Sequence, residues 1–437
     1  MPSVPEIISE WASLIPLAFH LASPQDDHIT AGEVCLTGRL SVPLFPSLGT
    51  MWGLARFLRE GTRYFDFASA RGGSSRTVWD VNWGSEFLCA NAAASTSIAD
   101  FILKHPRDHT VIAPKRSLPV SDSATTLGSA GRSQDNERPI GHSSKDRESN
   151  ESPKYRQQIL HVYQFQFRRC RRSVRLDIDS IMSSKIGSGL GLVVLGGISI
   201  LLGLVGAYGS AVLLINIMIS KLVAWAITLP RSAGYLRNNE KQENACMLSA
   251  SHTNATEWSL YIGDRAIVDT ILNKPMVYLP EGKQAQLAAH WFKFAHMIQL
   301  VAVTYVAAQK GWDGICLLTI LCLQYAYQGM FCGDSKAALW LAREGIEVKV
   351  RSYEFGWRTA MLGCIQLFSR SKVTRWMDSI IVPHPQRDAF LAQLQGDVLA
   401  KEAEARLDQH QLDWINNATF ISVQSAEAMR QDFAVGE

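Results

Sequence analysis

The sequence predicts an α-helical membrane protein with two transmembrane helical hairpins, cytosolic α/β segments and a disordered linker. Three observations lead there. Residues 186–229 form an apolar block of 44 residues whose only charge is Lys221. Residues 287–331 form a second apolar block, less clean near its start. Residues 113–155 are dominated by Ser, Asp, Glu, Arg, Asn and Gly, and such a stretch cannot bury enough surface to offset its ordering entropy.

Ahead of the linker, residues 1–112 read as a mixed soluble region. Ser3 and Glu6 make a capping box that opens an amphipathic helix through Trp11, Leu14 and Ile15, with Pro16 interrupting it. With Glu6 and Glu10 but no basic start or cleavage site, residues 1–21 do not read as a signal peptide. A short helix is expected at 51–60, a strand at 79–83 and a helix at 86–104.

Residues 156–185 are a basic juxtamembrane segment. Tyr163, Phe165 and Phe167 precede Arg168, Arg169, Arg171, Arg172 and Arg175. A solvated helical face would explain these arginines. Their place beside an apolar block favours contact with anionic lipid headgroups and a cytosolic location.

One bilayer crossing takes about 20 residues. The first block therefore fits two, roughly 187–205 and 209–228, with a turn at Gly206-Ala207-Tyr208-Gly209-Ser210. One long span plus an interfacial helix is the competing arrangement. Gly187 and Gly191, then Ser199, Gly203 and Ala207, recur at four-residue spacing, which lets helices approach closely in lipid and suits self-association. Residues 286–332 form the second hairpin, turning at Gly311-Trp312-Asp313-Gly314, with packed soluble or interfacial helices as the alternative.

Between the blocks, residues 230–285 read as a small cytosolic α/β module. Strands are expected at 245–250 and 258–262, a helix at 265–272 and a further strand at 276–279. The C-terminal region, 333–437, reads as cytosolic α/β, with helices at 335–343, 357–368 and 386–407. A one-sided strand is set by Ile346, Val348 and Val350. Basic residues on both sides of the first hairpin place the N-terminus, the middle module and the C-terminus in the cytosol. The sequons at Asn254 and Asn417 would then be silent. The eight cysteines show no zinc or CxxC spacing and read as reduced small hydrophobes. A net charge of +3 argues against a general nucleic-acid binder.

His290, Lys293 and His296 share one helical face, and fit either a proton or anion site in the membrane or an interfacial, snorkelling position. Gln324 and Gln328 lie four apart and fit interhelical hydrogen bonds or a polar path. Arg265 and Asp269 fit an ion pair, with a phosphate clamp the sharper alternative, while His384 and Asp388 fit helix capping. No hydrolase, P-loop, zincin or kinase signature occurs, and no cofactor or metal is expected.

Tyr235-Leu-Arg-Asn-Asn-Glu240, Ala245-Cys-Met-Leu248, Trp258-Ser-Leu-Tyr-Ile-Gly-Asp-Arg265 and Lys310-Gly-Trp-Asp-Gly314 resemble a group of uncharacterised multi-spanning membrane proteins of filamentous fungi. The resemblance implies a membrane location and assigns no residue a role. The leading expectation is a membrane-embedded scaffold or regulatory protein. A small oligomeric transporter or channel comes next, and a membrane-bound enzyme third.

Overall fold

Strand residues of alternating parity point to opposite sides of a sheet, and here both sides are apolar. Val78, Tyr163, Phe165, Met247 and Tyr261 are buried on one side. Trp79, Leu160, Val162, Leu248, Trp258 and Leu260 are buried on the other. A sheet apolar on both faces must be covered by helices on both. The computed structural model describes residues 6–22, 27–70, 75–104, 111–112, 156–168, 185–279, 282–309, 311–327, 335–396 and 407–433. Among these it is mostly helical, with fourteen α-helices around a seven-stranded mixed sheet.

The elements are α1 (Glu6–Ala22), α2 (Asp27–Thr37), α3 (Thr50–Glu60), α4 (Thr62–Ala70), β1 (Thr77–Asp80), β2 (Glu86–Leu88), α5 (Ala92–Lys104) and β3 (Val111–Ile112). There follow β4 (Gln158–Phe167), α6 (Lys185–Val205), α7 (Tyr208–Ala226), β5 (Asn244–Ala250), β6 (Glu257–Asp264) and α8 (Arg265–Leu272). The chain continues through α9 (Lys283–Ala308), α10 (Trp312–Tyr327), α11 (Ser335–Glu344), β7 (Ile346–Phe355), α12 (Arg358–Ser369), α13 (Pro385–Gln395) and α14 (Gln409–Phe433). The strand order is β2-β1-β5-β6-β4-β7-β3, with β4/β6 and β3/β7 parallel and the rest antiparallel.

Strands from distant parts of the sequence share this sheet. Part of the basic segment forms β4, which pairs over its whole length with β7. Strands β5 and β6 are flanked by β1 and β4. Gly263 sits where β6 crosses β4 most closely, and a Cβ there would lie 2.2 Å from the Phe165 carbonyl oxygen. Helices α12, α13 and α14 cover one face. The other face is covered by α2, α5, α8 and α11, and beyond them by a layer containing α1, α3, α6, α7, α9 and α10.

Helices α6 and α7 form a hairpin close to the expected limits, and α9 and α10 form a second. Helices α7 and α9 are long and apolar enough to cross a bilayer, judged by length and composition. Several expectations need correction. Helix α1 runs through Pro16 to Ala22. The 86–104 stretch is a strand followed by a helix starting at Ala92. The 276–279 strand is reduced to a single bridge between Arg231 and Val277. The linker at 113–155, Ser3, Arg169, Arg171, Arg172, Arg175 and Gln328 lie outside the described residues.

Candidate functional site

The strongest polar constellation lies inside the helical layer. Residues 38–49 connect α2 to α3 as irregular chain, and Leu40, Val42 and Phe45 are buried among the helices. Irregular backbone in apolar surroundings needs partners for its N–H and C=O groups. Gln324 on α10 provides both for Phe45: its Oε1 accepts from Phe45 N–H and its Nε2 donates to Phe45 C=O at 3.1 Å. Gln299 on α9 donates through Nε2 to Pro46 C=O at 2.5 Å. The two glutamines thus act like a neighbouring strand.

His20 of α1 closes this cluster. It is fully buried, lies edge-on to Phe45, and its Nδ1 is 3.5 Å from Gln299 Nε2. His20 Nε2 and Gln299 Oε1 have no hydrogen-bond partner among the described residues. A polar seam continues into α7, where Asn216 donates to Ala295 C=O at 2.9 Å and Ser220 accepts from Trp291 Nε1 at 3.1 Å.

His290, Lys293 and His296 do not converge. His290 is exposed, Lys293 places its ammonium 5.2 Å above the Trp52 ring, and His296 is half-buried against the same ring. Of the sequence candidates, Gln324 alone enters the cluster. His20 and Gln299 escaped notice because a lone polar residue in an apolar helix gives no spacing signal.

A second constellation joins the two hairpin turns. Asp313, at the start of α10, is buried. Its carboxylate accepts from Gly209 N–H at 2.7 Å, Ser210 N–H at 2.8 Å and the Ser210 hydroxyl. A carboxylate at a helix N-terminus meets both the unpaired N–H groups and the positive end of the helix dipole. Gly209 permits the approach, since a Cβ there would lie 2.4 Å from Val306 Cγ2.

In the α6 stripe, Gly191 and Gly203 have nothing within 4 Å of a Cβ position, whereas Ser199 and Ala207 are buried. Gly187 also lies on α6. Arg168 follows β4, 4.0 Å from Glu347.

A third cluster sits at the sheet. Arg265, 2% exposed, pairs with Asp80 at 3.1 Å, Glu240 at 2.9 Å and Asp269 at 3.5 Å. Lys274 lies 3.6 Å from Asp269. Burial pushes the Asp269 carboxyl above its ordinary range, against the pull of Arg265 and Lys274. Asp80 also accepts from Asn82 and Trp83 N–H in the β1–β2 turn, so the network ties β1, α8 and the 240 loop together. Asp264 caps α8 and His384 caps α13. Among the described residues no group of three or more His, Cys, Asp or Glu side chains is placed to hold a metal ion. No family model, curated protein or solved structure matches this chain.

Proposed function

We propose that the chain is an integral membrane protein in which two helical hairpins carry an α/β body on the cytosolic face, where the body serves as a scaffold for protein partners. One observation carries the membrane part: the two spanning-length helices, α7 and α9, expose large apolar side chains along their outer faces. On α7 Gly209, Ser210, Asn216 and Ser220 are buried together with Leu213, Leu214 and Ile217, while Val212, Ile215, Leu222 and Trp225 are exposed. On α9 Ala285, Ala288, Ala295 and Gln299 are buried together with Phe292, Val303 and Val306, while Phe294, Met297 and Val301 face outward. Only 33% of the most apolar window of α9 is buried. A water-soluble helix would carry polar residues on that outer face. A large apolar outer face over an inner face that includes small and polar residues suits a lipid surround.

In the sequence Arg168, Arg169, Arg171, Arg172, Arg175 and Lys185 fall between β4 of the body and the first hairpin, which favours the cytosol for the body side and anionic headgroups as contacts. The scaffold part rests on the described chain being largely α/β body, and on Gln299 and Gln324 spending their hydrogen bonds on the 38–49 loop. The unpartnered His20 and Gln299 atoms favour a transporter as second reading.

Proximity labelling from the C-terminus, with the purified protein reconstituted in liposomes beside it, separates the two. The scaffold reading expects a reproducible set of cytosolic proteins and no solute flux. A flux that Gln299→Leu abolishes at unchanged abundance overturns it.

A further inference from the structure

We infer that α1 is a fifth membrane helix and that its N-terminal end lies on the hairpin-turn side, opposite the α/β body. This rests on the membrane reading of the hairpins and goes beyond it, because the sequence places the N-terminal region with the soluble parts. The inference comes from the juxtaposition of α1 with α10 and from the residues on its two faces.

The inner face of α1 holds Ser9, Ala12, Ser13, Pro16 and His20, all buried. The outer face holds Ile7, Ile8, Trp11, Leu14 and Ile15, with Ile7 71% and Trp11 65% exposed. The large apolar side chains of this outer face repeat those of α7 and α9, and water would oppose their exposure. An internal proline is tolerated in membrane helices where neighbours supply hydrogen bonds. Seventeen residues reach the lower end of a bilayer-crossing helix.

Direction follows from three contacts. Gly314, in the turn end of α10, lets the α1 backbone approach, since its Cβ would lie 2.8 Å from Ser13 Cα. Phe19 meets Tyr325 edge-on at 5.1 Å, much further along α10. His20, the next residue, reaches Gln299 and Phe45, and Phe45 is held by Gln324 towards the body end of α10. Helix α1 therefore runs parallel to α10, from the turns towards the body.

The test places one glycosylation acceptor at a time in the full-length protein: in an extension ahead of residue 1, in an enlarged turn at 309–311, and in a C-terminal extension. Protease protection of an N-terminal epitope gives a second readout. The expected result is glycan at the first two positions only, with the N-terminal epitope protected in sealed microsomes. Glycan in the turn with an unmodified, protease-sensitive N-terminus overturns the inference and leaves the hairpins standing. A turn without glycan, accessible to protease together with the C-terminus, overturns the spanning hairpins and this inference with them.

Discussion

Replacing Asp313 by alanine strands two buried N–H donors at the start of α7, while the Ser210 hydroxyl keeps the residue 313 carbonyl as its acceptor. Hydrogen bonds to a charged acceptor are the strong ones, and donors left unpaired carry their full desolvation cost. Asp313→Ala is expected to destabilise the protein by about 3 kcal/mol, and Asp313→Asn by roughly half of that because an amide oxygen still accepts. Unfolding of the detergent-purified protein by SDS measures both; a loss below about 0.5 kcal/mol for alanine would show that the turns are held some other way. Asp269 makes a pH prediction. Its folded-state carboxyl titrates above the ordinary range because it is buried. The native state therefore binds the proton more tightly than the unfolded state, and this group's contribution to stability is lost as pH rises through the raised value. Asp269→Asn removes that dependence, so the stability difference between variant and wild type should grow in the variant's favour from acid to neutral pH. A difference that stays flat, or runs the other way, refutes the assignment. The Arg265–Asp269 pair was legible from its four-residue spacing, whereas the other partners of Asp269 and all those of Asp313 were not. Asp313 binds a turn 103 residues away, and Asp269 sits in a network drawn from β1, α8 and the 240 loop.

Helices announce themselves where composition and turn chemistry agree. The first hairpin was legible nearly to its ends, because a long apolar run with Lys221 as its one charge, interrupted by Gly206, admits few other arrangements. Strand β7 was legible from its alternation. Strand β4 was not: its polar His161 and Gln164 and the arginines that follow made a core strand look like a charged flank. Helix α14 passed unnoticed because the face it buries is built from small and polar residues such as Ala418, Ser422, Ser425 and Ala426. For the hairpin helices, the exposed face gives a discriminating prediction. Val301 on α9 is 62% exposed. In water, Val301→Asp at such a position would change stability by no more than about 0.5 kcal/mol. In the middle of a membrane helix the same change costs about 2.5–3.5 kcal/mol. The amount of Val301→Asp protein in the carbonate-resistant membrane fraction, compared with Val301→Leu, is therefore expected to fall sharply. Equal amounts of the two variants there would remove the lipid-facing assignment of α9.

Across the whole molecule, the helical layer and the α/β body share chain and core rather than meeting as separate units. The segment 230–285 illustrates this. Its two strands have both outer edges occupied, by β1 on one side and β4 on the other, and their far face is closed by α12, α13 and α14. Excised, it would expose two unpaired edges and an apolar face, so no stable fold is expected of it alone. The coupling runs through the 38–49 loop, which leaves α2 beside the sheet, is gripped by Gln324 and Gln299 inside the helical layer, and returns as α3 against α9. Gln324→Leu leaves the Phe45 N–H and C=O without partners, at a cost of about 1–3 kcal/mol. If the two layers unfold as one cooperative unit, that cost appears everywhere. Hydrogen–deuterium exchange should then accelerate to a similar extent in peptides from β5 and β6 and in peptides from α9 and α10, although the substitution touches neither strand. Acceleration confined to residues 38–60 would instead mean that the loop opens locally and that the body is stable without its helical layer.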